Sequence, residues 1–147
     1  MTKYLPFISY LNSKLNHYII KRDFAELQGG TRELRKVFFV NLPIPKIPLS
    51  KQKVFEELVD LIIFAKENGL ENEADKFESV IDGLVYDLYF EEEMKKANCY
   101  ITDRITEVIE PFEAHQTDEP KTEYIKNFYN FCNKDEIIFH LYCIAEP

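Results

Sequence analysis

Three prolines spaced two and three residues apart fix the plan of this chain. Pro43, Pro45 and Pro48 lie in "NLPIPKIPLSKQK", Asn41 to Lys53. Each lacks a backbone N–H and clashes with a preceding helical turn, so neither a helix nor a central strand can run through the stretch. The residue before each proline is pushed toward β or polyproline geometry, so "LPIPKI" is expected to be extended. Ser50 then reads as the N-cap of a helix, its hydroxyl accepting from an otherwise orphan amide. Position 53 is Lys rather than Glu, so the reciprocal capping box is absent.

Beyond the prolines the apolar spacing is helical. Val54, Leu58, Leu61, Ile62 and Ala65, widened by Phe55 and Val59, form a stripe that closes at Gly69 in "ENGLEN". Phe77, Ile81, Leu84, Val85 and Leu88 mark a second long helix over roughly 71–97. A short Gly-containing turn between two such helices predicts an antiparallel hairpin, its outer faces crowded with Glu and Asp. Upstream, Leu5, Ile8, Leu11, Leu15, Tyr18 and Ile19 predict one amphipathic helix over 4–22, with Lys14 and Lys21 off the stripe. Gly29-Gly30 breaks it and permits positive φ. "RKVFFVN" reads as one helical turn, with a strand as the alternative. Farther on, "ITDRITEVIEPF" predicts a short helix ended by Pro111, "EAHQTDEPK" a loop and "TEYIKNFYNFC" a helix. "DEIIFHLYCIA" fits a helix or a buried strand.

Charge is divided along the chain more sharply than its total of −8 suggests. Residues 1–53 hold ten Lys/Arg against three Asp/Glu, a net +7; residues 54–147 hold eight against 23, a net −15. Such asymmetry points to one face for an anionic partner and another kept away from it. Chance patterning of solvated helix faces is the alternative. No segment is apolar for the 18 or more residues of a membrane helix, and no signal-peptide pattern opens the chain. Cys99, Cys132 and Cys143 form no CxxC pair, and an odd count suits a reducing cytoplasm.

Candidate chemistry is sparse. Cys132, His140 and Cys143 lack the fourth ligand and tight Cys pair of a zinc site, so buried cysteines and a core-edge histidine are the better reading. Asp87 with Glu93-x-Lys95 echoes the acid–acid–lysine set of magnesium nucleases. That set needs its carboxylates around one metal, whereas these lie six residues apart on one helix. A solvated acidic face explains them better, and no metal site is expected. GxxxxGK and GxGxxG are absent, as is any nucleophile motif, so this chain alone is not expected to be an enzyme. "QGGTRELRK", Gln28 to Lys36, is the remaining candidate: flexible glycines, hydrogen-bonding side chains and three cations in nine residues suit phosphates and base edges. A bland surface turn has much the same composition.

In order, "YLPFISYLNSKLNHYIIK", "QGGTRELRKVFFVNLPIPKIPLSKQKVFEELVDLI" and "VIDGLVYDLYFEEEM" resemble the C-terminal specificity domain of TaqI-like type II DNA adenine methyltransferases and fused restriction–modification enzymes. They are more distantly similar to the target-recognition halves of type I specificity subunits. The resemblance covers about residues 4–97. It implies a domain that sits in the DNA major groove and positions a flipped adenine for a separate catalytic domain using S-adenosylmethionine. The (N/D)PP(Y/F) tetrapeptide of that catalysis is absent here, so methyl transfer does not carry over. The chain opens directly at the "LNSKL" helix and is expected to be a C-terminal piece of a larger enzyme.

The combined expectation is a mainly α fold: amphipathic helices, a long antiparallel helical hairpin, and a short extended or β segment around 34–48, as the C-terminal part of an α/β target-recognition domain. Residues 1–49 form the basic recognition part, 50–98 the hairpin and 99–147 a helical extension of unknown role. Lys21, Arg22, Gln28, Gly29, Gly30, Thr31, Arg32, Arg35 and Lys36 are the expected DNA-binding residues. The expected partners are double-stranded DNA and a methyltransferase or endonuclease catalytic domain or subunit, with no membrane. A second copy meeting through the hairpin is compatible with that reading. The alternative is a helical interaction module that docks a catalytic or partner subunit without touching DNA.

Overall fold

The computed structural model describes residues 5–26, 29, 36, 40–115 and 117–139. The fold is mainly helical, with no strand among the described residues beyond an isolated bridge at Glu26. In chain order the elements are α1 (Leu5–Asn12), α2 (Lys14–Asp23), α3 (Leu49–Glu67), α4 (Glu71–Tyr89), α5 (Glu91–Lys96), α6 (Thr102–Val108), a 3₁₀ turn (Phe112–Ala114) and α7 (Asp118–Lys134).

The single helix expected over 4–22 is two, because polar side chains take over backbone groups at Ser13. Its hydroxyl donates to the Tyr10 carbonyl (2.7 Å) and accepts from the Asn16 amide (3.3 Å), ending α1 and capping α2 in one residue. Asn16, fully buried, donates its side-chain amide to the Leu11 carbonyl at 2.8 Å and holds the joint.

Ser50 is not the cap of α3. The cap lies two residues earlier, at Pro48, and the helix begins at Leu49; the Pro48 φ of −58° and ψ of 145° place its carbonyl to accept from both Lys51 and Gln52 (3.0 Å each). A proline is preset for this junction, and its missing N–H is no loss there. Val54, Phe55, Leu58, Leu61 and Ala65 are buried along α3. Gly69, at φ +70°, closes the helix: the Leu70 amide reaches back to Ala65 (2.8 Å) and that of Gly69 to Lys66 (3.4 Å). This αL ending satisfies carbonyls that would otherwise be orphaned, and a Cβ-bearing residue adopts it at a cost.

α4 then returns along α3. Near the turn Lys66 pairs with Glu78, and at the far end Lys51 of α3 lies 3.6 Å from Glu91. The long helix expected to reach residue 97 stops at Tyr89: Phe90, at φ −128° and ψ 39°, leaves helical geometry and starts α5. Asn98, at φ +55°, ends α5 in the left-handed region that Asn tolerates.

Asp87 corrects the expectation of a solvated acidic face. It is 0% exposed and its Oδ2 accepts from the Ile101 amide (2.9 Å), the Thr102 amide (2.8 Å) and the Thr102 hydroxyl (2.7 Å). A carboxylate on α4 therefore caps the start of α6, fifteen residues on in sequence. Glu93 stays exposed, and Lys95 pairs with Glu91 at 2.5 Å. Among the described residues no group of His, Cys, Asp and Glu has metal-site geometry.

One buried cluster joins these elements. Tyr10 from α1, Phe55, Leu58 and Leu61 from α3, Phe77 and Leu84 from α4, Ile105 from α6, Ile125, Phe128 and Cys132 from α7, and Ile138 all belong to it. α7 starts inside the stretch expected to be a loop, since Pro120 sits in its first turn, where no intrahelical N–H is required. Residues 136–139 form a further helical turn, whose Ile137 and Ile138 amides donate to Asp135 Oδ1 (3.0 and 3.2 Å).

Between α2 and α3 the connector at 43–48 is extended. The Tyr10 and Tyr89 hydroxyls both donate to the Pro43 carbonyl, Tyr10 at 3.2 Å, and Gln52 Nε2 donates to the Ile47 carbonyl at 2.8 Å. Leu42 is buried beside them. The connector is thereby tied to α1, α3 and α4. Just upstream, the Val40 amide meets the Lys36 carbonyl at 3.1 Å, the spacing of a helical turn.

Candidate nucleic-acid interface

Of the nine expected DNA-binding residues, four are described: Lys21, Arg22, Gly29 and Lys36. Gln28, Gly30, Thr31, Arg32 and Arg35 lie outside the described residues. Gly29 has φ +90° with nothing within 4 Å of an added Cβ, so its constraint is conformational rather than steric. Lys36 is exposed.

α2 is the best-defined part of the basic segment. Lys14, His17, Tyr18, Lys21 and Arg22 are all exposed and recur at steps of three and four, so they share one face of the helix. Leu15, Asn16 and Ile19 turn the other way, half-buried or buried. Tyr18, which the apolar periodicity placed on the inner stripe, is 63% exposed and carries the Arg22 guanidinium 5.9 Å from its ring centroid. Lys14 and Lys21 are about 10 Å apart along the axis at 1.5 Å per residue.

Two carboxylates shape this face. Asp82 of α4 accepts the Lys14 amide at 2.8 Å and so pins the first turn of α2. Burial pushes the Asp82 carboxyl above the ordinary carboxylate range, and the Lys14 amide partly offsets that rise. Asp23 forms a fork-to-fork pair with Arg22, Nε to Oδ1 at 2.6 Å and Nη2 to Oδ2 at 2.7 Å. The pair holds the Arg22 guanidinium above, and the Asp23 carboxyl below, their usual ranges. A phosphate approaching Arg22 must compete with that carboxylate, which makes Lys21 the better placed of the two expected cations.

Farther along, Lys46 and Lys53 are exposed, whereas Lys51 turns back to the protein, 3.1 Å from the Tyr100 hydroxyl. The sequence expectation sets Lys14 off the apolar stripe but does not carry it, His17 or Tyr18 into the site. The signal for them is the i, i+3, i+7 spacing of Lys14, His17 and Lys21.

A groove of about 580 Å³ opens between α1–α2 and α3–α4, lined by Ile8, Val59, Ile62 and Ile63 with Asp82 among them. No protein-family model, curated protein or solved structure matches the chain.

Proposed function

We propose that the chain is a DNA-recognition (specificity) fragment of a bacterial restriction–modification enzyme. It supplies duplex contacts for an adenine-N6 methyltransferase or endonuclease whose catalytic domain, with its S-adenosylmethionine, lies elsewhere. The observation that carries the reading is the charge division, +7 over residues 1–53 against −15 over the remainder. A polyphosphate attracts the first and repels the second, so it selects one side of the molecule. The order of motifs from "LNSKL" through "LPIPKI" to "IDGLVYDLY" supports the same reading. Lys14, His17, Lys21 and Lys36 then contact phosphates, while Gln28 to Thr31, with Arg32 and Arg35, approach the duplex. The extended segment at 43–48 is the tail of the recognition domain, and α3 with α4 is its packing hairpin.

Fluorescence anisotropy on a labelled mixed-sequence duplex tests this. Binding is expected at about 50 mM salt and should weaken steeply by about 200 mM, as counterions released from a few phosphates require. No binding at the lower salt would overturn the reading.

The groove favours a second reading, a helical module that docks a partner subunit. Ile8 and Ile63 are exposed within it, and contiguous exposed apolar surface marks interaction sites. Sedimentation velocity checks the homo-oligomeric form of this reading: concentration-dependent self-association should be lost in Ile63→Asp. A strictly monomeric wild type removes that form.

A further inference from the structure

The connector has a property that neither reading uses: its two backbone edges differ. The carbonyls of Pro43 and Ile47 both turn inward, the first to Tyr10 and Tyr89 and the second to Gln52. Four residues apart is an even spacing, as in a pleated chain, where alternate residues present their N–H and C=O to the same edge. A threefold polyproline helix would instead align Pro43 with Lys46. Over residues 44–47 the side chains alternate, Ile44 and Lys46 exposed, Pro45 and Ile47 half-buried, while Pro43 at the start of the segment is itself exposed. The inner edge thus belongs to residues 43, 45 and 47. Pro43 and Pro45 bring no N–H to it, so Ile47 carries its one backbone donor.

The outer edge belongs to Ile44 and Lys46. Among the described residues nothing accepts their N–H groups or donates to their carbonyls. The surroundings are apolar and cationic. Val40, Ile44 and Leu49 are 67%, 49% and 80% exposed. No Asp or Glu occurs from residue 34 to residue 55, while Lys36, Lys46 and Lys53 are all exposed.

We infer that this open edge is a docking site for an extended, acidic segment of a partner protein, which adds to the connector as a strand. Its backbone pairs with the N–H and C=O groups of Ile44 and Lys46, an apolar side chain covers Ile44, and its carboxylates meet the lysines. The occupant is peptide rather than nucleic acid, because the edge alternates donors with acceptors. Phosphate oxygens only accept and leave the two carbonyls unmatched. The tyrosine and glutamine ties hold the edge extended before the partner arrives, which lowers the ordering cost of binding. This site shares Lys36 with the proposed DNA contacts, but peptide binding and amide protection at 44 and 46 are read without DNA, so the two readings fail separately.

The test is selection of random peptides displayed on phage against the whole chain, followed by anisotropy with the enriched peptides. Acidic, β-branched sequences without internal proline are expected. Lys46→Ala, which removes only the charge, should weaken them about two- to fivefold. Lys46→Pro removes the edge N–H as well while fitting the extended backbone, and should weaken them about tenfold further. Circular dichroism establishes that both variants keep their helices. In the wild-type complex the Ile44 and Lys46 amides should also become protected from hydrogen exchange. Failure to enrich any peptide over an unrelated protein, equal binding by Lys46→Ala and Lys46→Pro, or unprotected amides at 44 and 46 would each overturn the inference.

Discussion

α2 and α4 use charge in opposite ways. On α2 the charged groups face outward, and Lys21 pairs with no carboxylate among the described residues. α4 belongs to the acidic segment, yet its Asp82 and Asp87 point into the protein and hold backbone amides of other elements. Glu57 of α3 does the same for the Phe112 amide at 2.7 Å, and Asp135 for the turn after α7. Part of the −15 is therefore structural rather than a surface that repels. The cations of α2 lie outside the core and can be altered without touching it, whereas the buried carboxylates cannot.

That contrast is sharpest at Asp87. Asp87→Ala removes the acceptor of three hydrogen bonds and leaves the Ile101 and Thr102 amides buried without partners, at a cost of about 3 kcal/mol. Asp87→Asn keeps an acceptor and should lose about 1 kcal/mol. Urea denaturation monitored by circular dichroism measures both. Equal losses would mean that the amides find other partners.

The second way to break the comparison is pH. Burial raises the carboxyls of Asp60, Asp82 and Asp87 above 3.8, the ordinary Asp value. For Asp87 burial outweighs its three bonds, consistent with an Oδ1 that is buried and unpartnered. As pH rises past 3.8 the unfolded chain releases these protons first, while the folded chain retains them. Unfolding is then accompanied by proton release, and each group lowers stability until its folded-state pKa is passed. Asp87→Asn should therefore flatten the fall in stability as pH rises past 3.8, read as melting temperature against pH. An unchanged profile would remove Asp87 from the account.

A smaller effect is expected at the connector. Tyr10→Phe and Tyr89→Phe each delete one donor to the Pro43 carbonyl, and each should cost about 0.5–1 kcal/mol, because water can reach that exposed position. Both losses together should exceed either alone. A double variant as stable as wild type would show that the prolines hold the segment without help.

How much of this was legible in the sequence follows from how local each cause is. α3 and its Gly69 ending were readable, because both rest on spacing and on one residue's backbone freedom. The break at Ser13 was not, since it depends on Asn16 being buried, which periodicity does not report. Ser50 was the wrong cap because a proline carbonyl just upstream already served the amides. Asp87 was grouped with solvated acids because nothing on its own helix reveals that the 99–102 segment returns two amides to it. For the candidate site, the charge division and the outward position of Lys21 were readable. Tyr18 was misplaced because a tyrosine satisfies an apolar pattern whichever way it faces.

The central claim is that the exposed cationic face of α2 meets the nucleic acid. Duplex affinity measured against salt for wild type and for Lys14→Ala/His17→Ala/Lys21→Ala tests it most directly, with Lys126→Ala/Lys134→Ala as a control on α7. The account predicts that the α2 variant flattens the slope of log K against log salt by about 2, one for each lysine withdrawn from a phosphate, while the control matches wild type. An α2 variant that binds duplex with the wild-type slope would contradict it.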